Sequence, residues 1–349
     1  MPGRIAFSHL EHRRRLAGRC QLALLCLWLG LVGPWVATTV TAQSTNSTEQ
    51  GKLPPSHSVK PELYATGLAF AEGPALNEAG DLFVVNYRLL GTIGRITADG
   101  TAGIFCDLLE KAPLEGRQPQ ANGLKIDGEG RLIVADAGGG RLLRISEDGR
   151  HVEVLADRWE GTRFDGVNDV ALDTRGNIYF TDPGQSTAEN PTGSVYRYDI
   201  VTKQISRLAT GLAYPNGIAV SVDQKQLCVA ESRQYRVMIY DLTPDGKATG
   251  GRVLVDFPDE TDEVFKGGKF DPDGMIVDSQ NRLYVAMWRG GVINVVDIGS
   301  GVLLRQYEAG GGRATNCHFH DGWLYTTVAA KEAVFRLKLG VEGFDYNGR

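Results

Sequence analysis

Three observations predict an all-β fold. A pattern of about fifteen residues recurs six times, two further short strand-like segments follow most recurrences, and no long segment carries a helical period. Short strands punctuated by turn signals at this spacing leave no room for α/β crossovers. Six four-stranded sheets arranged radially make a six-bladed β-propeller.

The repeats justify each blade in turn. They read "EGPALNEAGDLFVVN" from Glu72, "NGLKIDGEGRLIVAD" from Asn122, "NDVALDTRGNIYFTD" from Asn168 and "NGIAVSVDQKQLCVAE" from Asn216. The fifth is "DGMIVDSQNRLYVAM" from Asp273, and the sixth, shorter, is "NCHFHDGWLYTTV" from Asn316. Their starts lie 50, 46, 48, 57 and 43 residues apart, the length of a propeller blade. Each opens on a polar residue, alternates through a strand, turns at an Asp-x-x-Gly-like sequence such as Asp127 to Gly130, and enters a second apolar strand. Segments such as "RLLRISEDG" then "HVEVLAD", or "RVMIYDL" then "GRVLVDF", supply the third and fourth strands. "KPELYATGL" resembles the last strand of a blade, as in "ISRLATGL", but no earlier strands precede it. It is expected to complete the C-terminal blade, closing the ring and removing an exposed edge.

Domain organisation follows from the ends of the chain. Residues 1–42 carry Arg13, Arg14, Arg15 and Arg19, then the apolar "LALLCLWLGLVGPWVATTVTAQ", which fits a signal peptide cleaved after Val40-Thr41-Ala42. The apolar run is short for a membrane span. Export to the periplasm or the cell exterior is therefore expected, with no membrane association after cleavage. Residues 43–58 are polar without period and read as a flexible leader. Residues 59–349 form a single propeller domain, because 349 residues that are 42% hydrophobic suffice for one large core. The net charge of -5 gives no sign of a nucleic-acid partner. Cys106, Cys228 and Cys317 are too few for a disulfide framework, and without a C-x-x-C they do not make a thiolate zinc site.

The first strand of each blade runs beside the central channel. The opening positions Glu72, Asn122, Asn168, Asn216, Asp273 and Asn316 therefore share one ring of carboxylates and amides. Polar groups crowded at an axis must be satisfied by water, by each other or by an ion, and two carboxylates repel unless protonated or neutralised. Oxygen donors of this kind suit Ca2+ first, ahead of Mg2+, Mn2+ or Zn2+. The competing explanation is turn chemistry, since "DPDG" is a good β-turn on its own; six such positions in register favour a functional ring. An EF-hand at Asp271 is excluded by Arg282 at its twelfth position. Arg163, on the loop into Asn168, is a candidate for holding substrate. Asp182 is a candidate for the channel mouth or for a turn cap. His318 and His320 share a strand face and are read as packed or solvated rather than as acid–base groups. G-x-S-x-G, H-E-x-x-H and P-loop motifs are absent from the sequence.

The motifs "AEGPAL", "NDVALDTRGNIYFTDPG", "YPNGIAV" and "DPDGMIVDSQNRLYVAMWRGG" resemble those of the gluconolactonase, regucalcin-like and senescence-marker lactonase family, over roughly residues 60 to 340. The resemblance implies a central metal-binding channel with one divalent cation. Glu72, Asn216 and Asp273 match the family's metal ligands, and Asn168 matches a residue that binds the metal directly or through water. Arg163 is the nearest match to a family arginine that holds substrate, although it lies two residues further from the Asn than in the animal members. His318 and His320 stand where the family often has small or apolar residues.

The expected function is metal-dependent opening of a sugar lactone, with the metal polarising the carbonyl and Asp273 as general base. Asn122, Asn168 and Arg163 are expected to bind the sugar hydroxyls. Two alternatives remain: a phosphotriesterase-like or strictosidine-synthase-like propeller enzyme, and a non-catalytic NHL-type binding propeller, whose repeats "NGLKIDGEGRLIVAD" is close to.

Overall fold

The structure is a computed structural model that describes residues 53–89, 91–262 and 264–348. The signal peptide with its cleavage site, and residues 43–52 of the leader, lie outside the described residues.

Every repeat becomes a four-stranded antiparallel sheet, and in blades 1 to 5 the strands follow one another in chain order. The inner strands are Ala71–Leu76, Ala121–Ile126, Val170–Leu172, Pro215–Val220, Pro272–Val277 and Ala314–His320, in blades 1 to 6. Each touches the next, and the sixth returns to the first, so the sheets close into a ring. The closure follows the sequence expectation. Glu62–Thr66 pairs antiparallel with Ala333–Lys338 and supplies the outer strand of blade 6. Both chain ends are thereby tied into one sheet, and the outer side of Ala333–Lys338 is paired instead of being left as an edge.

The core lies between blades. Six clusters of buried apolar side chains each join two neighbouring blades, such as Phe83, Val85 and Leu124 between blades 1 and 2, or Cys228, Val285 and Met287 between blades 4 and 5. This follows from strands buried on both faces, which read as nearly continuous apolar runs. Cys106, Cys228 and Cys317 are free and buried in these strands.

The inner strands approach the axis so closely that backbone takes the place of side chains. The residue after a ring position is glycine in four blades: Gly73, Gly123, Gly217 and Gly274. A Cβ on Gly217 would overlap the carbonyl of Asp273, and one on Gly274 would overlap the Asn316 amide. Pairing with the second strand shifts register at this same place, between Glu72 and Ala75, Ala121 and Leu124, Pro215 and Ile218, and Pro272 and Met275. Such bulges re-aim a side chain, here into the channel.

Both ends of the described chain dock on the ring. Residues 53–58, assigned to the flexible leader by composition, are held against the outer strand of blade 5, Leu303–Glu308. Leu53 is buried in the cluster between blades 5 and 6. Tyr307 Oη and Arg305 Nε donate to the Pro54 carbonyl at 2.7 and 3.2 Å, and His57 N donates to the Gln306 carbonyl at 3.0 Å. One buried leucine and a few backbone bonds are signals too local for composition to reveal. The C-terminal residues cross the far ends of the inner strands: Phe344 N donates to Val277 O at 3.0 Å and Asn347 Nδ2 to Ile126 O at 3.1 Å.

Candidate active site in the central channel

At the starts of the inner strands the ring opens into a cavity of about 220 Å³. Glu72, Asn122, Asn168, Asn216 and Asp273 all line it, so five of the six ring residues converge as the repeat pattern requires. Each is less than a tenth exposed. Phe70, Tyr87, Tyr214 and Trp288 supply an aromatic wall, and Ser232, Arg233 and Asp271 complete the lining.

The electrostatics are dominated by buried carboxylates, with the exposed Arg233 at the edge of the lining and Lys125 deeper on the axis. Burial pushes Glu72 up to about 8; the Gly73 N–H, donating to Oε2 at 2.9 Å, opposes this, while Asp169 adds to it and Lys125 subtracts. Asp273 is raised well above the usual carboxylate range by burial, then by Glu72 and Asp169, against a hydrogen bond from Asn216. Tyr87 is pushed up to about 12 by burial and by Tyr214, Glu72 and Asp273, so its phenol stays protonated at neutral pH and can donate. Ser232 is no free nucleophile, since its hydroxyl donates to the Pro272 carbonyl at 2.6 Å.

The sixth ring residue departs from the pattern. Asn316 turns away from the cavity: its Nδ2 donates to Asp169 Oδ2 at 3.3 Å and its Oδ1 accepts from Cys317 N at 2.8 Å. Asp169 is the residue that sequence reasoning missed. It stands where blades 1, 2, 4 and 5 have glycine, is 1% exposed, and accepts from Val170 N at 2.8 Å. Burial raises its pKa, while Lys125, Val170 N–H and the Asn316 amide hold it down. The signal was "ND" in a series that reads "EG", "NG" or "DG" in blades 1, 2, 4 and 5 and "NC" in blade 6.

Arg163 is not brought to the cavity. It lies in the small exposed hairpin of Arg158–Trp159 and Thr162–Arg163, 3.8 Å from Asp157, so the structure corrects its placement beside Asn168. Its guanidinium turns to Asp157 and does not line the cavity. Asp182 is a cap: its oxygens accept from Asp165 N at 3.2 Å and Gly166 N at 2.7 Å, fixing the loop that delivers Asn168. His318 and His320 line a different cavity at the far ends of the inner strands, beside Phe344 and Tyr346. His318 is buried, and burial followed by Lys125 and His320 depresses its pKa well below the ordinary value.

Two carboxylates and three amides make an all-oxygen donor set; among the described residues no three His, Cys, Asp or Glu side chains cluster as metal ligands. Amide oxygens therefore have to share the work if an ion is held here.

The chain is similar to known proteins. The family model described as SMP-30/Gluconolactonase/LRE-like region matches residues 150–330. Gluconolactonase of Zymomonas mobilis is 26% identical over 291 residues, 79% of this chain and 80% of that protein. Diisopropyl-fluorophosphatase of Loligo vulgaris is 29% identical over 290 residues, 77% of this chain and 88% of that one. Lactonase drp35 of Staphylococcus aureus is 30% identical over 239 residues, 67% and 68% of the two chains. Among solved structures, a gluconolactonase from Xanthomonas campestris superposes with a TM-score of 0.64 at 24% identity, covering 82% of this chain and 96% of that one. Regucalcin of Agrobacterium tumefaciens, described as calcium-binding, gives 0.64 at 19%, covering 83% and 96%. These superpositions carry the fold, and the match of the family model to more than half of the chain carries the membership: the chain belongs to the SMP-30/gluconolactonase/LRE-like family.

Proposed function

We propose that this protein is a metal-dependent lactonase that opens a sugar lactone by adding water to its carbonyl. The observation that carries this reading is the pair of buried carboxylates, Glu72 and Asp273, which share one cavity with the amides Asn122, Asn168 and Asn216 and are pushed toward protonation by burial and then by neighbouring carboxylates. A divalent ion removes that penalty, so the residues fit one. Glu72, Asn168, Asn216 and Asp273 would hold it, with Ca2+ favoured by the hard oxygen donors. Once bound, it would supply Lewis-acid polarisation of the lactone carbonyl.

The side chains of this chain divide the remaining work. Asp273, ionised, orients the attacking water and takes one of its protons; that proton then passes to the ring oxygen as the acyl C–O bond breaks. Water adds across the ester, and the product is the open-chain hydroxy acid. Asn122, Asn168 and the phenols of Tyr87 and Tyr214 hydrogen-bond the sugar hydroxyls. Phe70 and Trp288 cover the apolar face of the sugar ring and limit access of bulk water. Arg163 has no part in this, since its hairpin keeps it outside the cavity. The reading includes export, which rests on the charged, then apolar, then small-residue pattern of residues 1–42.

The test is proton release from glucono-1,5-lactone by residues 43–349 after chelation, with Ca2+, Mg2+, Mn2+ or Zn2+ restored singly. Turnover that needs metal and falls by about 10²- to 10⁴-fold in Asp273→Ala and Glu72→Ala is expected. A folded protein that binds no metal sinks the reading of the ring. The relation to the squid fluorophosphatase favours one second reading, in which the same site polarises P=O. Hydrolysis of diisopropyl fluorophosphate faster than of any lactone tested would establish it.

A further inference from the structure

The rim of the cavity carries a pattern of its own. In blades 1, 4 and 5 the second residue after the second strand is arginine: Arg88 after Leu82–Asn86, Arg233 after Gln226–Glu231, Arg289 after Arg282–Met287. The equivalent positions in blades 2, 3 and 6 are Gly138, Gly184 and Ala330. Blade 6 contributes Arg313 instead, immediately before its inner strand, Ala314–His320. Blades 4, 5, 6 and 1 are consecutive around the ring, so four exposed arginines form one arc while the rim of blades 2 and 3 offers glycine. This happens in a chain whose net charge is -5.

The arc is built on the aromatic wall. Phe70 packs at 5.3 Å from Tyr87 and 5.4 Å from Trp288, centroid to centroid. The Arg88 guanidinium lies 5.0 Å over Phe70, that of Arg313 5.6 Å over Trp288, and that of Arg233 5.2 Å over Tyr214. All three supporting rings line the cavity. A stacked guanidinium is held in orientation with its N–H fork still free along the edge. Arg289 is spent otherwise, donating to Asp271 at 2.9 Å. Among the described residues, Arg88, Arg233 and Arg313 have no carboxylate partner. Like charges gathered on one side of a mouth repel each other, and the carboxylates of the ring offset this only from below. An anion at the mouth would answer the exposed forks directly, and planar guanidinium groups answer oxyacids best.

We propose that the substrate is an anionic lactone, one bearing a carboxylate or phosphate group, and that Arg88, Arg233 and Arg313 bind that group against the aromatic wall while the lactone carbonyl faces the carboxylate ring. This rests on the lactonase reading for the reaction and goes beyond it in the class of substrate. Arginine supplies specificity here: a neutral sugar lactone has no group to pair with the arc.

The experiment compares kcat/KM for D-glucaro-1,4-lactone, 6-phosphoglucono-1,5-lactone and neutral glucono-1,5-lactone, in the wild type and in the double variant Arg88→Gln, Arg313→Gln. The expected result is an anionic-to-neutral ratio of about ten or more, falling at least about tenfold in the double variant and shrinking from about 20 mM to about 500 mM salt. The better of the two anionic substrates identifies the oxyacid. A wild-type ratio near or below one, or a ratio that the double variant and salt leave unmoved, overturns the proposal. Should no lactone be hydrolysed with any metal, the lactonase reading fails and the arc is judged alone by calorimetric titration of D-glucarate and 6-phosphogluconate. Salt-sensitive binding that disappears in the double variant upholds an oxyanion site; absence of binding to the wild type rejects it.

Discussion

Removing the proposed divalent cation should make the stability of this protein fall as pH rises, and Glu72, coupled to Asp273, sets the least size of the effect. In the metal-free channel its carboxyl titrates at about 8, against an ordinary value of 4.5. The folded state therefore keeps a proton that the unfolded chain has already released. Stability from this group is complete below the unfolded value and is lost as pH climbs through the folded one. Between about pH 6.5 and about pH 8.5 the loss is about 2 kcal/mol, and for a domain of this size that lowers Tm by about 4 °C. The window begins at the ordinary histidine pKa, so the opposite contribution of His318 within it is at most about 0.4 kcal/mol. Thermal melts of chelated protein across this range, beside metal-saturated protein and chelated Glu72→Gln, are the assay. The chelated wild type should slope downward most steeply and the metal-saturated wild type should be nearly flat; the chelated variant should lose the Glu72 part of the slope and keep the part from Asp273, which burial also raises. A chelated wild type as flat as the loaded one, or a variant that keeps the full slope, refutes the reasoning that the ring carboxylates are uncompensated.

Two further predictions concern stability away from the cavity. His318 is held well below its ordinary pKa, so the unfolded chain binds a proton that the folded chain does not, and stability is lost as pH falls below about 6.5. His318→Leu should remove about 1 kcal/mol of the loss between about pH 6.5 and about pH 5.5, read as a smaller shift in urea midpoint. Arg282 and Asp278 form a fully buried pair at 2.6 Å, with Asp278 also accepting from Tyr284 Oη at 3.1 Å. Arg282→Met leaves that carboxylate buried and unpaired and should cost about 3–5 kcal/mol in urea unfolding, of which a second change, Asp278→Asn, should recover part.

The ring was legible in the sequence because repetition makes position readable. Once Glu72, Asn122, Asn168, Asn216 and Asp273 occupy one place in a repeat, symmetry sends them to one place in space without any knowledge of contacts. Closure by Glu62–Thr66 was legible for the same reason, as a fourth strand lacking its first three. What escaped was everything that breaks the repeat. Asn316 keeps the repeat position but spends its amide on Asp169, a partner 147 residues away. Arg163 was judged by its distance along the chain from Asn168, and a two-residue hairpin pairing overrode that distance. The arginine arc was present in the repeat, at a place two residues beyond the second strand, but exposed arginines ordinarily signify nothing until the rings beneath them are seen.

Charge along the axis explains how the channel can be so acidic. Glu72 and Asp273 face the cavity, Asp169 lies a layer deeper, and Lys125, 4% exposed, stands below them on the inner strand of blade 2. Its ammonium lowers the pKa of both Glu72 and Asp169, and its Nζ has no hydrogen-bond partner among the described residues. A buried cation that makes no hydrogen bond is expensive unless nearby charge compensates it. With Asp271 paired to Arg289, the three other carboxylates against the Lys125 ammonium leave two negative charges when all are ionised, which is the charge that the proposed divalent ion would neutralise. Without Lys125 the same ion would leave these buried groups negative. The Asp at position 169, where blades 1, 2, 4 and 5 carry glycine, and the Lys at position 125 thus balance one another.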